Sequence, residues 1–136
     1  MSDVMRIMVV DDEMPARDRM RELLSDCAEE IPNEVVAEAA SGAQALELMP
    51  QFQVQVVLVD IHMPVMNGIE FARHLQGLPA PPAVIFVTAH DQYAVDAFEV
   101  NALDYLLKPV RATRLATALR KAVGNGAPKR EQLEAV

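Results

Sequence analysis

The chain has 136 residues, of which 51% are hydrophobic, and it carries a formal net charge of −8. This length suits one compact domain with a buried core, and the negative charge disfavours direct binding to nucleic acid or to an anionic membrane. The single cysteine excludes an internal disulfide, and no apolar run approaches the roughly 20 residues of a membrane-spanning helix. Because the first residues show no secretory signal pattern, a cytoplasmic location is expected.

Short runs rich in Val and Ile alternate with longer segments of helical period along the chain. This alternation is typical of an α/β fold, in which a parallel sheet is covered by helices. The third run is almost continuously apolar before its final acid, as expected of a central strand that is buried on both faces. The predicted strands are Met5 to Val10, Glu34 to Ala40, Val54 to Asp60, Ala83 to Thr88 and Leu103 to Leu107.

Five helices are predicted between and after these strands, and several begin at recognisable residues. Pro15 suits the first turn of the first helix, and Ser41 with Gln44 three residues later fits a capping box at the start of the second. Asp91 is expected to cap the fourth helix. The expected helix ends are Ile31-Pro32, Met49-Pro50, Gln76, Val100 and Gly124-Asn125-Gly126.

Polar residues stand at the carboxyl ends of the predicted strands, where a doubly wound sheet has its ligand crevice. Three carboxylates brought within a few Å of one another would repel strongly in a partly desolvated site, so a cation is expected among them. A set of oxygen ligands that leaves room for water and phosphate favours Mg²⁺ over Zn²⁺. The polar residues at the strand ends are Asp11, Asp12, Asp60, Thr88 and Lys108.

This combination of acids, lysine and hydroxyl is suited to phosphoryl transfer. Asp60 is the predicted nucleophile, and Asp11 and Asp12 are predicted to hold the cation directly or through water. Lys108 would pair with one phosphoryl oxygen, and Thr88 would donate its hydroxyl to another. Each residue alone has a simpler interpretation, such as helix capping by an Asp, a solvated lysine or a threonine that favours a strand. Capping needs neither a paired acid nor a facing lysine, so the full set favours the chemical interpretation.

Several motifs together resemble the response-regulator receiver family over about residues 5 to 123. They are Asp11-Asp12, Asp60 followed by Met63-Pro64 and Gly68, Thr88-Ala89, and Tyr105 with Lys108-Pro109. The segments 88–99 and 104–109 also resemble the LytR/AlgR branch, whose members usually carry a C-terminal LytTR-type DNA-binding domain. The resemblance implies a flavodoxin-like doubly wound (βα)5 fold with five parallel strands in the order 2-1-3-4-5. It further implies a receiver domain over 1–123 and a linker or tail over 124–136 that leads to a DNA-binding domain outside this sequence.

The resemblance also assigns roles to individual residues. Asp60 would be the phosphoacceptor and Lys108 the active-site lysine. Mg²⁺ would be bound by Asp11, Asp12 and the backbone carbonyl of His62. Thr88 would be the switch hydroxyl and Tyr105 the switch aromatic. The implied protein is a two-component switch that a sensor histidine kinase phosphorylates, rather than an enzyme with a separate substrate. A cis peptide is implied at Lys108-Pro109.

In such a switch, phosphorylation changes the surface of helix 4, strand 5 and helix 5. This surface would support a homodimer, and the downstream domain would control transcription by binding DNA. In this chain the surface contains Tyr93, Phe98, Glu99, Asp104 and Arg111.

Two histidines at the expected pocket rim leave two interpretations open. His62 and His90 lie two residues beyond Asp60 and Thr88, where the family usually has other side chains. They are either inert surface residues or modulators of the access of water to an acyl phosphate, and so of its lifetime. His74, on the third helix, is expected to face solvent.

Three other functions fit this sequence less well than a receiver does. A magnesium-dependent phosphohydrolase with an aspartyl nucleophile usually has a second acid two residues beyond it, and this chain has His62 there. A pseudo-receiver that only binds proteins would have a gap in the acidic set. Flavin or dinucleotide binding would favour a Gly-rich loop after the first strand, where Glu13-Met14-Pro15 stands instead.

Overall fold

The computed structural model describes residues 4–124 and contains five parallel strands that alternate with five α-helices. The strands are β1 (Met5–Val10), β2 (Asn33–Ala39), β3 (Val56–Val59), β4 (Ala83–Thr88) and β5 (Asp104–Leu107). The helices are α1 (Met14–Asp26), α2 (Gly42–Leu48), α3 (Gly68–Gln76), α4 (Ala94–Glu99) and α5 (Ala112–Gly124), and a 3₁₀ turn at Met49–Gln51 follows α2. The strand order is β2-β1-β3-β4-β5, which confirms the predicted fold.

The central strand β3 is buried on both faces, as its apolar run predicts. Val56 and Leu58 pack in one core with α1 and α5, whereas Val57 and Val59 pack in a second core with α2, α3 and α4. This alternation follows from the two-residue period of a strand. The sheet is therefore covered by two helices on one face and three on the other.

The predicted capping box at α2 is present. The side chain of Ser41 accepts a hydrogen bond from the backbone N–H of Gln44 at 3.1 Å, and the side-chain oxygen of Gln44 accepts one from the N–H of Ala40 at 2.7 Å. A second box, which the sequence analysis missed, caps α3: Asn67 and Glu70 each accept a 2.9 Å bond from the other's backbone N–H. Both helices therefore begin directly after a loop at the carboxyl edge of the sheet.

The predicted limits of two other helices were wrong. Helix α1 ends at Asp26 rather than near Ile31-Pro32, because the side chain of Asn33 donates to the carbonyl of Leu24 at 3.0 Å and ties the chain back there. Asp91 does not cap α4. That helix begins at Ala94 after Tyr93, which makes no capping bond with its side chain.

Because all five strands are parallel, their carboxyl ends share one edge of the sheet.

The described residues include no helix that is long and apolar enough to cross a membrane. The predicted stop of α5 at Gly124-Asn125-Gly126 and the predicted tail fall, apart from Gly124, outside the described residues.

Candidate functional site

Backbone hydrogen bonds beyond the strand ends hold the site residues in register. The N–H of Asp11 donates to Ala39 at 3.1 Å, and the N–H of Asp60 donates to Val10 at 3.0 Å. On the other side of the sheet, the N–H of Lys108 donates to the carbonyl of Thr88 at 2.8 Å. The predicted acids, hydroxyl and lysine therefore leave the sheet at the same edge.

The ammonium group of Lys108 lies between two carboxylates. Its Nζ is 3.0 Å from Oδ2 of Asp11 and 3.1 Å from Oδ2 of Asp60. The two acids are almost completely buried, with 8% and 11% of their side chains exposed. Hydrogen bonds between charged groups are about twice as strong as neutral ones, so the lysine offsets much of the repulsion between the acids.

The pKa values of this pair reflect burial and mutual charge. Burial raises the pKa of Asp11 above its usual range, although the N–H of Glu13 and the ammonium of Lys108 both act to lower it. Burial would lower the pKa of Lys108, but the hydrogen bond and charge of Asp11 and the charge of Asp60 outweigh it and raise the pKa. The lysine therefore stays charged, and the acids are in a site that favours added positive charge.

Three carboxylates are close enough to share one cation. One oxygen each of Asp11, Asp12 and Asp60 lies within 4.8 Å of the others, and Asp12 is exposed while the other two are buried. An oxygen-only donor set of this size that is open to solvent on one side fits Mg²⁺, which keeps several of its waters. The predicted role of the His62 carbonyl stays a prediction.

The loop after Asp60 turns back tightly and depends on a glycine. The N–H of Gly68 donates to the carbonyl of Ile61 at 2.8 Å. A Cβ atom at Gly68 would lie only 2.4 Å from the carbonyl oxygen of Asp60 and 2.9 Å from the Cα atom of Ile61. Only glycine permits this close approach, so Gly68 holds the backbone that carries Asp60.

Thr88 and Tyr105 are joined through the loop between β4 and α4. Thr88 is completely buried, and its Oγ1 accepts a hydrogen bond from the N–H of His90 at 3.3 Å. The hydroxyl of Tyr105 donates to the carbonyl of His90 and accepts from the N–H of Tyr93 at 3.3 Å. Burial raises the pKa of Tyr105, so its hydroxyl stays protonated and able to donate.

His62 and His90 are not isolated surface residues. Their rings stack with centroids 4.0 Å apart and an interplanar angle of 24°, and Nε2 of His62 lies 2.7 Å from the hydroxyl of Tyr93. These contacts connect the loop after β3 with the loop after β4. His74 is exposed on α3, as predicted.

The sequence analysis also missed Arg17, which reaches back from α1 to the first acidic loop. Its guanidinium donates to the backbone carbonyl of Asp11 at 2.7 Å. The sequence carries one signal for this contact, since Arg17 lies about one turn into a helix that follows an acidic pair. Such spacing alone does not distinguish a contact with the loop from a solvated side chain.

Comparison with known proteins agrees with this geometry. Residues 7–120 match the family model of the response regulator receiver domain. The positive alginate biosynthesis regulatory protein of Pseudomonas aeruginosa is 43% identical over 134 residues, which cover 97% of this chain and 51% of that protein. The transcriptional regulatory protein LytR of Staphylococcus aureus is 39% identical over 117 residues, which cover 86% of this chain and 46% of that protein. The chain thus spans about half the length of these curated relatives.

Solved structures show the same fold. The signal receiver domain of the response regulator NarL from Mycobacterium tuberculosis superposes with a TM-score of 0.81 at 32% identity, covering 91% of this chain and 100% of that one. The response regulatory domain of mrkE from Klebsiella pneumoniae gives a TM-score of 0.78 at 28% identity, covering 88% and 95%.

Replacement of Gly68 by alanine should destabilise the protein, because the new methyl group would collide with the backbone of Asp60. Overpacking of this kind costs about 1–3 kcal/mol, and the loss should be visible in urea unfolding. Gly77→Ala is the matched control, since a Cβ atom there would meet its nearest neighbour, the carbonyl oxygen of His74, at an ordinary 3.5 Å. Equal stability of the two variants would contradict the proposed close approach.

Proposed function

This chain belongs to the response regulator receiver domain family, and on that premise we propose that it is a phosphoacceptor switch whose acceptor is Asp60. The donor would be the phosphohistidine of a sensor histidine kinase. The observation that carries the proposal is the ammonium of Lys108, which bridges Asp11 and Asp60 at 3.0 and 3.1 Å beside a third acid. A lysine in this place would pair with the phosphoryl oxygens as they approach Asp60.

In the proposed reaction, a carboxylate oxygen of Asp60 attacks the phosphorus atom while the bond from phosphorus to the imidazole nitrogen breaks. The product is an acyl phosphate on Asp60 and a free histidine on the kinase. Lys108 would move its hydrogen bond from the carboxylate to a phosphoryl oxygen, and the buried hydroxyl of Thr88 would donate to another. The protein is thereby its own substrate.

We assign Mg²⁺ as the cofactor, held by Asp11, Asp12, Asp60 and the backbone carbonyl of His62. When bound, the ion would neutralise charge that gathers on the transferring group. The chain's own part is to present oxygen ligands: Asp11 and Asp60 are fixed by Lys108, and the N–H of Glu13 donates to Asp11 at 3.0 Å.

The proposed switch runs from Thr88 to Tyr105 through His90. When Thr88 turns to donate to the phosphoryl group, its oxygen would move away from the N–H of His90, from which it accepts at 3.3 Å. The loop that holds His90 would then move, and Tyr105 would lose its partners, the carbonyl of His90 and the N–H of Tyr93. The change would reach the surface of α4, β5 and α5.

We propose that this surface forms a homodimer after phosphorylation. It exposes apolar side chains on α4, since Val95 is 70% and Phe98 is 82% exposed, and Leu107 of β5 is 49% exposed.

Relatives named as transcriptional regulators are about twice as long as this chain. The receiver over 1–123 would therefore act, through a linker over 124–136, on a LytTR-type DNA-binding domain that controls transcription.

Incubation with acetyl phosphate and Mg²⁺ should add one phosphoryl group to the protein, as measured by intact mass. Asp60→Asn should take up none, because its amide is a poor nucleophile. Glu29→Gln, at an exposed acid in the turn after α1, is the matched control and should be phosphorylated like wild type. Catalytic turnover of a small phosphoester without a stable adduct would favour a hydrolase instead.

Loss of either stacked histidine should shorten the lifetime of the acyl phosphate. The stack and the bond to Tyr93 hold together the loops that follow Asp60 and Thr88, so we expect His62→Ala or His90→Ala to loosen them, admit water and raise the hydrolysis rate several-fold. The measurement is the decay of phosphorylated protein after removal of the donor. His74→Ala should decay like wild type, and unchanged decay in all three variants would leave the two histidines without this role.

The beryllofluoride-bound protein should run as a dimer in size-exclusion chromatography with light scattering. Phe98→Glu should remain a monomer under the same conditions, because it places a charge in an apolar contact. Met14→Glu, which changes another exposed apolar residue on α1, should still dimerise. A monomeric beryllofluoride complex of the wild type would rule out this interface.

A further inference from the structure

Arg17 is the polar contact that joins α1 to the acidic loop after β1. Its guanidinium donates to the backbone carbonyl of Asp11 at 2.7 Å, and only 16% of its side chain is exposed. An arginine that is mostly buried needs partners for its N–H donors. Here one of them donates to the backbone carbonyl of Asp11, a residue of the candidate metal site. Arg17 therefore contacts the backbone that carries the acids, in addition to the helix to which it belongs.

The charge of Arg17 is balanced away from the site. Its Nε lies 3.3 Å from Glu38 on β2, whose other carboxylate oxygen is 2.8 Å from Arg21. Within residues 4–124, Arg17 forms no ion pair with Asp11 or any other acid of the site. The arginine can thus approach the acids without competing with a cation for their carboxylates.

The carbonyl that Arg17 holds belongs to the peptide unit that leads into Asp12. Since a peptide unit is planar, fixing its oxygen also fixes the direction in which the next Cα atom lies. The side chain of Asp11 has its own restraints, because it accepts bonds from Glu13 and Lys108. Among the described residues, the carboxylate of Asp12 makes no hydrogen bond or ion pair, so the backbone is what restrains the position of its Cβ atom, from which the carboxylate can turn toward the site.

We propose that Arg17 is a positioning residue of the magnesium site, which holds the Asp11-Asp12 peptide so that the Asp12 carboxylate faces those of Asp11 and Asp60. Glu38 anchors the same guanidinium through Nε, a different nitrogen from the one that donates to Asp11. This inference rests on the proposed function and deepens it, since it explains how an exposed, unbonded acid is kept beside two buried ones.

The first test is the affinity for Mg²⁺ in the absence of any phosphoryl donor, measured from amide chemical shifts during a Mg²⁺ titration. Arg17→Gln should bind Mg²⁺ about tenfold more weakly, as is typical when a partner outside the ligand set is lost. Arg17→Lys keeps the charge but carries its donors on a single nitrogen, whereas the guanidinium serves Asp11 and Glu38 through two separate nitrogens, so this variant should fall between Arg17→Gln and wild type. Arg21→Gln is the matched control, because Arg21 also pairs with Glu38 but does not contact Asp11, and it should bind like wild type.

The second test separates positioning from loss of chemistry. Phosphorylation of Arg17→Gln by acetyl phosphate should need about tenfold more Mg²⁺ for half of its maximal rate, in line with the weaker binding. The rate at saturating Mg²⁺ should be close to wild type, because Asp60, Lys108 and Thr88 are unchanged. A merely structural role would lower the melting temperature without this split between Mg²⁺ requirement and maximal rate.

Three results would overturn the inference: wild-type Mg²⁺ affinity in Arg17→Gln, equal weakening in Arg21→Gln, or an Arg17→Lys that binds no better than Arg17→Gln. If Arg17→Gln does not fold, Arg17→Lys decides, and wild-type affinity in that variant contradicts the role. Failure of the proposed function is distinguishable, since wild type itself would then neither bind Mg²⁺ nor accept a phosphoryl group.

Discussion

The structure around the site depends on one electrostatic constraint, the presence of two buried carboxylates beside each other at the edge of the sheet. Asp11 and Asp60 follow adjacent strands, so their side chains cannot avoid one another, and the charge of Lys108 lies between them at 3.0 and 3.1 Å. Removing one partner of a buried ion pair leaves an uncompensated charge and costs about 3–5 kcal/mol. The lysine directly follows β5, two strands away from β3, and its long stem spans that distance.

Much of this arrangement could be predicted from the sequence, because it follows from local patterns and one topological rule. Apolar runs define the strands, and a parallel sheet brings their carboxyl ends together, so the grouping of Asp11, Asp60 and Lys108 required no distances. The capping of α4 by Asp91 was predicted wrongly for the opposite reason. Its start is determined by bonds between the loop and Tyr105, and a pattern within one segment does not report contacts with another strand.

Contacts between loops account for the rest of what the sequence did not reveal. The stack of His62 on His90 joins two loops that lie far apart in the sequence, and the close approach of Gly68 to Asp60 depends on how one loop folds over itself. A histidine or glycine in a loop is compatible with many arrangements, including a solvent-exposed turn. Only the three-dimensional structure distinguishes such a turn from a contact between loops.

Asp104, an acid on the surface of α4, β5 and α5, forms its ion pairs within this chain, with Arg114 and Lys121. Burial would raise the pKa of Asp104, but hydrogen bonds from Arg114, from the backbone N–H of Tyr105 and from Lys121 outweigh burial and lower it to about 2. Asp104 is therefore charged at neutral pH and already paired, while Phe98 nearby in the same surface is exposed. A partner would then meet the apolar Val95 and Phe98 together with the exposed carboxylate of Glu99 on α4.

Helix α4, which the proposed switch would move, is held by few buried side chains. Only Ala97 of its six residues is buried, whereas α3 buries five residues, including Phe71. A neutral hydrogen bond contributes about 0.5–1.5 kcal/mol and one to a charged group about 1.5–3 kcal/mol, so in the proposed switch a bond from Thr88 to a phosphoryl oxygen would outweigh the lost bond from His90 to Thr88 by about 1 kcal/mol. Since about 1.4 kcal/mol is a tenfold change in an equilibrium, this exchange would shift the loop population several-fold. In the proposed switch, a helix with a single buried residue beside that loop would allow so modest a bias to change the surface.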